Sequence, residues 1–455
     1  MDLRNKIIAI GLHIIMGLVS IYSPIICTIW FYSFFLYSVF KILSKGNEDS
    51  FANYAVCYLL GLEIILRMDK VAFVFYESGK YGCAFLMLLA LMVEKRKRQL
   101  PMFAVFYMVL LLPSIIGGGS YGSSDIFSNI SFNLSGPFVL FVSWMYFFKR
   151  KIDKQVFERM IYNCILPLIS GCFVVVAKLP ELNKEAFSTD SNKLLSGGFG
   201  PNQVAVVFGF GFAIMFLAWL VKAKITISHT FDIILGMFFL SFAVFTFSRG
   251  GVVSGIASVI GGMIVMAGSG RNIKELKQVI NLLLVLVLLG TITWVYLNGF
   301  TNGFLAQRYE KAINHDQDDP NAQIINTTGR YEIANEDVEI FEKNPIFGVG
   351  PGNATAIRTG DLGKNWVAHT EFTRLLAEHG SFGIICIFLL LSSPLIAFRK
   401  QSHEGKIIMT VMIILSLSIM LHVAMRLAVV GVIYGLAFAD YDFKSLNPLM
   451  RTEDA

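Results

Sequence analysis

Charge is scarce in this sequence. Asp, Glu, Lys and Arg together make up only 15% of its 455 residues, against about 25% in ordinary soluble domains. Ligand fingerprints are missing too. There is no phosphate-cradling loop, no GxGxxG turn, no HExxH pair and no zinc-type spacing of Cys and His. No nucleotide, redox cofactor or metal is therefore expected. The six cysteines, Cys27, Cys57, Cys83, Cys164, Cys172 and Cys386, all fall in apolar stretches. None lies in a long polar loop where a disulfide would form, so they read as packing residues. The short alternating strands of a membrane barrel are absent, as are heptads, solenoid repeats and low-complexity tracts. The basic start, Met1–Lys6, leads into an apolar run reaching about Leu43 with no small-residue cleavage site, so no signal peptide is expected.

What fills the sequence is apolar. Hydrophobic residues make up 55% and the mean hydropathy is +0.63. They gather into blocks approaching the ~20 residues a helix needs to cross the hydrocarbon core. Helices are the expected spanning element because lipid satisfies no backbone polar group. Candidate spans are Ile7–Ser23, Ile25–Leu43, Phe51–Leu66, Tyr81–Val93, Leu100–Ile116, Ser135–Phe148, Met160–Ala177, Gln203–Val221, Phe231–Phe247, Gly251–Gly268, Val279–Leu297, Phe372–Phe398, Ile407–His422 and Leu427–Ala439. Pro24 marks the turn between the first two. The expectation is an all-α polytopic integral membrane protein of about 12–14 transmembrane helices.

Basic residues give the sidedness. With a cytoplasmic N-terminus, the loops expected inside carry Lys95–Arg98, then Lys149–Lys151 with Lys154 and Arg159. Lys222 and Lys224, Arg271 with Lys274 and Lys277, and Arg399–Lys400 with Lys406 follow. The loops expected outside are poorer: 117–134 has no Lys or Arg, and Lys184 and Lys193 in 180–201 are balanced by acids. Both termini then lie in the cytoplasm. The net charge of +6 is thus an orientation signal and implies no nucleic acid. The organisation expected is helices over 1–297, one long outer loop over 298–368, helices again over 369–440, and a cytoplasmic tail, 441–455. The loop has a helical stretch, with Tyr331, Ala334, Val338 and Phe341 at helical spacing, and then the turn-rich run Asn344–Gly352. A long loop with its own structure is usually functional.

Three outer-face groups can carry chemistry. The first is Phe247-Ser248-Arg249-Gly250-Gly251, where an arginine stands between two apolar blocks beside glycines that allow close approach. The plainer reading is a charge snorkelling to the headgroups. The second is Thr328-Gly329-Arg330-Tyr331, where a solvated arginine is the plainer reading. The third is His369-Thr370-Glu371-Phe372-Thr373-Arg374, at the mouth of a span, where a histidine can act as a base near neutral pH or make an interfacial hydrogen bond. Arg374 can pair with Glu378 one turn on. Gln203 either contacts a substrate or helps cap its helix. Glu63 is a functional candidate as an intramembrane charge or a partner for Arg67. His422 and Arg426 flank a short outer turn, and surface anchoring explains them. The four Asn-x-Ser/Thr matches, at Asn129, Asn133, Asn326 and Asn353, occur commonly by chance.

Together these pieces resemble the O-antigen ligase and O-antigen polymerase superfamily of bacterial envelope glycosyltransferases. The resemblance rests on Ser248-Arg249-Gly250-Gly251, on Gly329-Arg330-Tyr331 followed by Asn344–Gly350, and on His369–Gly380 with Gly383 beyond. It covers roughly Asn202 to Phe398. Thr370 departs from the pattern, since many members have asparagine there. The resemblance implies a GT-C-like architecture with a periplasmic loop. It implies His369 as general base and Arg249 and Arg330 on the donor's diphosphate; Gln203, Glu371 and Arg374 are candidate substrate contacts read from their positions. The resemblance also implies an undecaprenyl-diphosphate-linked saccharide as donor, with no nucleotide sugar and no required metal. The acceptor is a hydroxyl of a glycan, a lipid A core or another molecule, and the site faces the periplasm from the inner membrane. Physical chemistry agrees: arginine forks suit diphosphate oxygens, and an imidazole suits a hydroxyl proton. A flippase of lipid-linked saccharides is the rival, although no internal repeat supports it; an assembly scaffold is a second.

Overall fold

The structure is a computed structural model and describes residues 3–68, 74–96, 98–117, 126–179, 193–268, 273–310, 313–315, 323–325, 330–362 and 367–443. Thr328 and Gly329 of the Gly-Arg motif, Asn326, Lys97, Lys184 and Arg271 lie outside the described residues.

The chain is an all-α polytopic membrane protein. It begins with α1 (Leu3–Ser20), α2 (Pro24–Lys45), α3 (Phe51–Met68) and α4 (Ser78–Val93). Then come α5 (Met102–Leu111), α6 (Pro113–Gly117), α7 (Ile126–Phe147), α8 (Lys154–Lys178), α9 (Pro201–Leu220), α10 (His229–Phe245), α11 (Arg249–Gly268) and α12 (Ile273–Phe300). Short α13 (Phe304–Glu310), α14 (Arg330–Lys343) and α15 (Asn353–Leu362) precede α16 (Glu371–Phe398), α17 (His403–Met420) and α18 (Ala428–Leu436). Ten of these are long and apolar enough to cross a membrane, and three more segments are shorter apolar helices.

Local chemistry sets the boundaries. Pro24 takes the first position of α2, where its missing N–H costs nothing. Pro113 breaks the single span expected over Leu100–Ile116 into α5 and α6, because its ring cannot donate within a helix. All six cysteines are buried and free.

Packing places α9 at the centre. Of its apolar window 94% is buried, against 6% for α12, so α12 turns its side chains outward, as a lipid-facing helix does. Around α9 pack α3, α8, α10, α11 and α17. At one end of the bundle, β1 (Lys151–Asp153) pairs in parallel with β4 (Asp440–Asp442). The other end carries the 298–368 loop, where β2 (Ile313–His315) pairs antiparallel with β3 (Gln323–Ile325). At nine residues, α18 is about 14 Å long, too short for the ~30 Å core. The turn before it is accordingly recessed: His422, Val423, Ala424, Met425 and Leu427 are all buried.

The loop helix forms where its periodicity predicts, but on a different face. In α14 the buried residues are Ile333, Asp337 and Ile340, while Tyr331 and Val338 are exposed. The helix turns this way because Asp337 forms a fully buried ion pair with Arg358 of α15.

Candidate functional site

The glycines of Ser248-Arg249-Gly250-Gly251 are there for close approach. A Cβ on Gly251 would lie 2.2 Å from the carbonyl carbon of Ala205, so α11 and α9 touch backbone to backbone. A Cβ on Gly250 would lie 2.2 Å from Cδ2 of His422. Ser248 Oγ donates to Asn202 Oδ1 at 2.8 Å, and the Arg308 guanidinium reaches the Phe247 carbonyl at 3.4 Å. Arg249 thus begins α11 in a turn fixed from several sides.

A second pair of glycines docks the loop onto α16. Gly380 has φ +58° and ψ −135° and divides α16 into two pieces. The break strips the carbonyls of Ala377 and Glu378 of their helical partners. The Val349 and Gly350 amides replace them, each at 3.0 Å, and the Ser381 amide donates to Pro345 O at 2.8 Å. The Gly352 amide donates to Glu378 Oε1 at 2.9 Å. Thr373 Oγ1 donates to Asp337 Oδ2 at 2.7 Å, so α14 is held to the first turn of α16 beside His369.

Three of the candidate or flanking charges are committed to one another. Arg374 bonds both oxygens of Glu371 and donates to Glu378 Oε2 at 2.6 Å. Glu371 and Glu378 are fully buried and Arg374 nearly so. Glu371 Oε2 also accepts the Met425 amide at 3.3 Å. These bonds make the group a brace for the site. Gln203 likewise accepts from Arg67 Nη1 at 2.8 Å, and Arg67 pairs with Glu63 at 2.6 Å. Of the two readings of Glu63, its pair with Arg67 is present.

Electrostatic influence links Arg249 and Arg308 to Arg330, and Arg330 to His369. Arg426, His422 and Arg358 also act on His369. The leading charged influences on Arg330 and His369 are basic. Burial, and then these neighbours, push the His369 imidazole down to about 4. His422 is also pushed down to about 4, first by burial and also by Arg330. Both rings are therefore neutral near pH 7, while the guanidiniums keep their charge. A basic cluster of this kind attracts an anion with several phosphoryl oxygens.

Sequence reasoning gave His422 and Arg426 only an anchoring role and did not single out Arg308. Surface anchoring does not describe His422 and Arg426: His422 is only 9% exposed, and Arg426 bonds the carbonyls of Ala368 and Val367. The available signal was their position. Ionisable residues between apolar segments are functional candidates by default, and a seven-residue turn holding two of them is such a case. His422 Nδ1 contacts Ser418 O at 2.7 Å; a carbonyl only accepts, so Nδ1 carries the proton. Among the described residues, Nε2 has no hydrogen-bond partner.

An apolar cavity of about 440 Å³ lies near the end of α10 that leads into the Arg249 turn. It is walled by Leu179, Phe238, Phe242, Phe245, Tyr296 and Phe300, at the loop ends of α8, α10 and α12. The Phe245 and Phe300 rings are 5.8 Å apart, and Phe245 precedes the Arg249 turn by a few residues.

These features define a membrane-embedded helical bundle with a basic, histidine-containing site at one end. Residues 234–388 match the family model described as O-Antigen ligase. The match takes in Arg249, Arg330 and His369, and this segment is similar to the O-antigen ligase family, enzymes of polysaccharide biosynthesis. No curated protein and no solved structure matches the chain.

Proposed function

We propose that this protein is a metal-independent, inverting glycosyltransferase. It moves a saccharide from undecaprenyl diphosphate to an acceptor hydroxyl at the periplasmic face of the inner membrane. The observation that carries the proposal is a run of basic groups, in which Arg249 and Arg308 act on Arg330 and Arg330 and Arg426 act on a neutral His369. The arginines hold the diphosphate and stabilise the charge that builds on it as it leaves. They supply the positive charge that a divalent cation supplies in other phosphate sites. His369 takes the acceptor's proton while the acceptor oxygen attacks the anomeric carbon. The bond from that carbon to the diphosphate oxygen breaks, and the electron pair leaves with undecaprenyl diphosphate. The apolar cavity at the end of α10 takes the start of the polyprenyl chain.

An imidazole pushed down to about 4 is a weak base. Donor binding corrects this: the diphosphate's negative charges offset the arginines around His369 and raise its proton affinity. The base is then strengthened only when a donor is present.

The test is glycan transfer by purified protein from an undecaprenyl-diphosphate oligosaccharide, with and without a chelator. Candidate acceptors are a second lipid-linked repeat and a lipid A core. Extension of the lipid-linked chain defines a polymerase, and labelling of the core alone defines a ligase. No transfer to any acceptor, together with movement of the lipid across vesicles, would contradict the proposal in favour of a flippase.

A further inference from the structure

The α17–α18 turn, Leu421–Leu427, lies outside the matched segment 234–388, yet it touches the carriers of both His369 and Arg249. Arg426 Nη2 donates to Ala368 O at 2.6 Å and Val367 O at 3.4 Å. Those are the two carbonyls immediately before His369. On the other side, the His422 ring occupies the space a side chain at residue 250 would need, next to Arg249. The ring cannot swing away freely, since its Nδ1 is tied to Ser418 O.

The turn itself is held rigidly by other helices. Glu63 Oε2 of α3 accepts the Ala428 amide at 2.9 Å, and Glu371 Oε2 of α16 accepts the Met425 amide at 3.3 Å. Arg67 Nη2 of α3 donates to Arg426 O at 3.0 Å. Each of these acidic partners carries its own buried cation, Arg67 on Glu63 and Arg374 on Glu371. The backbone of the turn is therefore fixed without help from the side chains of His422 and Arg426. Both of those reach away from the turn onto the two elements of the site. Burying such groups is costly unless they are bonded: the Arg426 guanidinium bonds the carbonyls before His369, and the His422 ring, bonded to Ser418 O, packs against Gly250 beside Arg249.

We propose that the α17–α18 turn is the positioning element of the transfer site: Arg426 sets the place of His369, and His422 sets the turn that presents Arg249. The inference rests on the glycosyl-transfer reading above. It makes Arg426 and His422 positioning residues with separable effects. Arg426 acts on the base and hence on the chemical step. His422 acts on an arginine of the donor site and hence on donor binding.

The test is steady-state kinetics of the purified full-length protein, with an undecaprenyl-diphosphate oligosaccharide as donor. Arg426→Ala should lower kcat by roughly 10–100-fold, the cost of a misplaced base, with donor KM little changed. Arg426→Lys keeps a cationic donor near the same carbonyls and should recover part of the loss. His422→Ala should raise donor KM roughly tenfold, the loss of about one charge-assisted hydrogen bond. Gly250→Ala should be impaired by overlap with the imidazole. The double variant Gly250→Ala/His422→Ala should be more active than Gly250→Ala alone, because the new methyl enters the space the ring vacates. Unfolding midpoints measured for each variant separate a loss of fold from a loss of positioning. Wild-type kinetics in both Arg426→Ala and His422→Ala, or no rescue in the double variant, would overturn the inference while leaving glycosyl transfer intact. Absence of transfer by the wild type would overturn the reading beneath it, and the inference with it.

Discussion

Gly348 fills the space that a side chain on Gly380 would need, and the backbone just before Gly380 fills the space of one on Gly348. A methyl group on Gly380 would lie 2.6 Å from the Gly348 amide nitrogen, and one on Gly348 would lie 2.4 Å from the Glu378 carbonyl carbon. Both glycines have positive φ, +68° and +58°. The overlap is with backbone, which cannot move aside as the end of a side chain can. The loop that carries Arg330 is anchored to the helix that His369 precedes by this contact.

Gly380→Ala should therefore detach the loop. The left-handed backbone alone costs about 1–3 kcal/mol for a side chain, and the steric overlap adds to it. Limited proteolysis should cut faster within residues 298–368 in the variant, and transfer should fall. Unchanged cleavage would show that the loop is held elsewhere.

Arg374 and Arg330 should separate stability from function. Arg374→Ala leaves Glu371 and Glu378 buried without their cation, a loss of about 3–5 kcal/mol. Arg330 sits among like charges, so Arg330→Ala relieves repulsion and should leave stability unchanged or raised, while donor KM rises. Unfolding midpoints in detergent and donor kinetics check both. A strongly destabilised Arg330→Ala would mean that the arginine holds the fold.

The pH dependence follows from His369. Its folded value, about 4, lies below its ordinary 6.5, so between those values the unfolded chain binds more protons than the folded one. The contribution of the neutral ring to stability is thus fully present above pH 6.5 and is lost as pH falls toward 4. For activity, kcat/KM reports the free protein, and the His369 limb should lie near pH 4. The limb in kcat should lie higher, because the bound diphosphate stabilises the imidazolium. Limbs in the opposite order would refute the electrostatic account.

Inorganic diphosphate should compete with the donor, and added salt should weaken it by screening the exposed part of the cluster. Arg249→Ala and Arg330→Ala should each weaken this inhibition by roughly tenfold, about one charge-assisted bond. Inhibition that ignores both substitutions would move the anion site elsewhere.

The helices and the site were legible in the sequence to different depths. Apolar blocks marked the helices because lipid demands continuous apolarity, and Pro24 marked a turn because it has no amide to donate. Arg249, Arg330 and His369 stood out through the short motifs around them. The face of α14 did not, because a buried Asp337–Arg358 pair, invisible to a count of apolar periodicity, decides which side turns inward. Nor did the recessed α17–α18 turn. Its depth depends on how short α18 is in three dimensions, and a run of apolar residues over Leu427–Ala439 looked like one more span. The commitment of Arg374 to Glu371 as well as Glu378 was half visible, since only the pair with Glu378 was read from the spacing.

The central claim is that His369 takes the acceptor's proton. The most direct measurement is single-turnover transfer from an undecaprenyl-diphosphate oligosaccharide at saturating protein, comparing wild type with His369→Ala at pH 7. The account predicts a rate lower by about 10²–10⁴-fold, the usual worth of a positioned general base, with donor binding unchanged. A variant that transfers at the wild-type rate would contradict it.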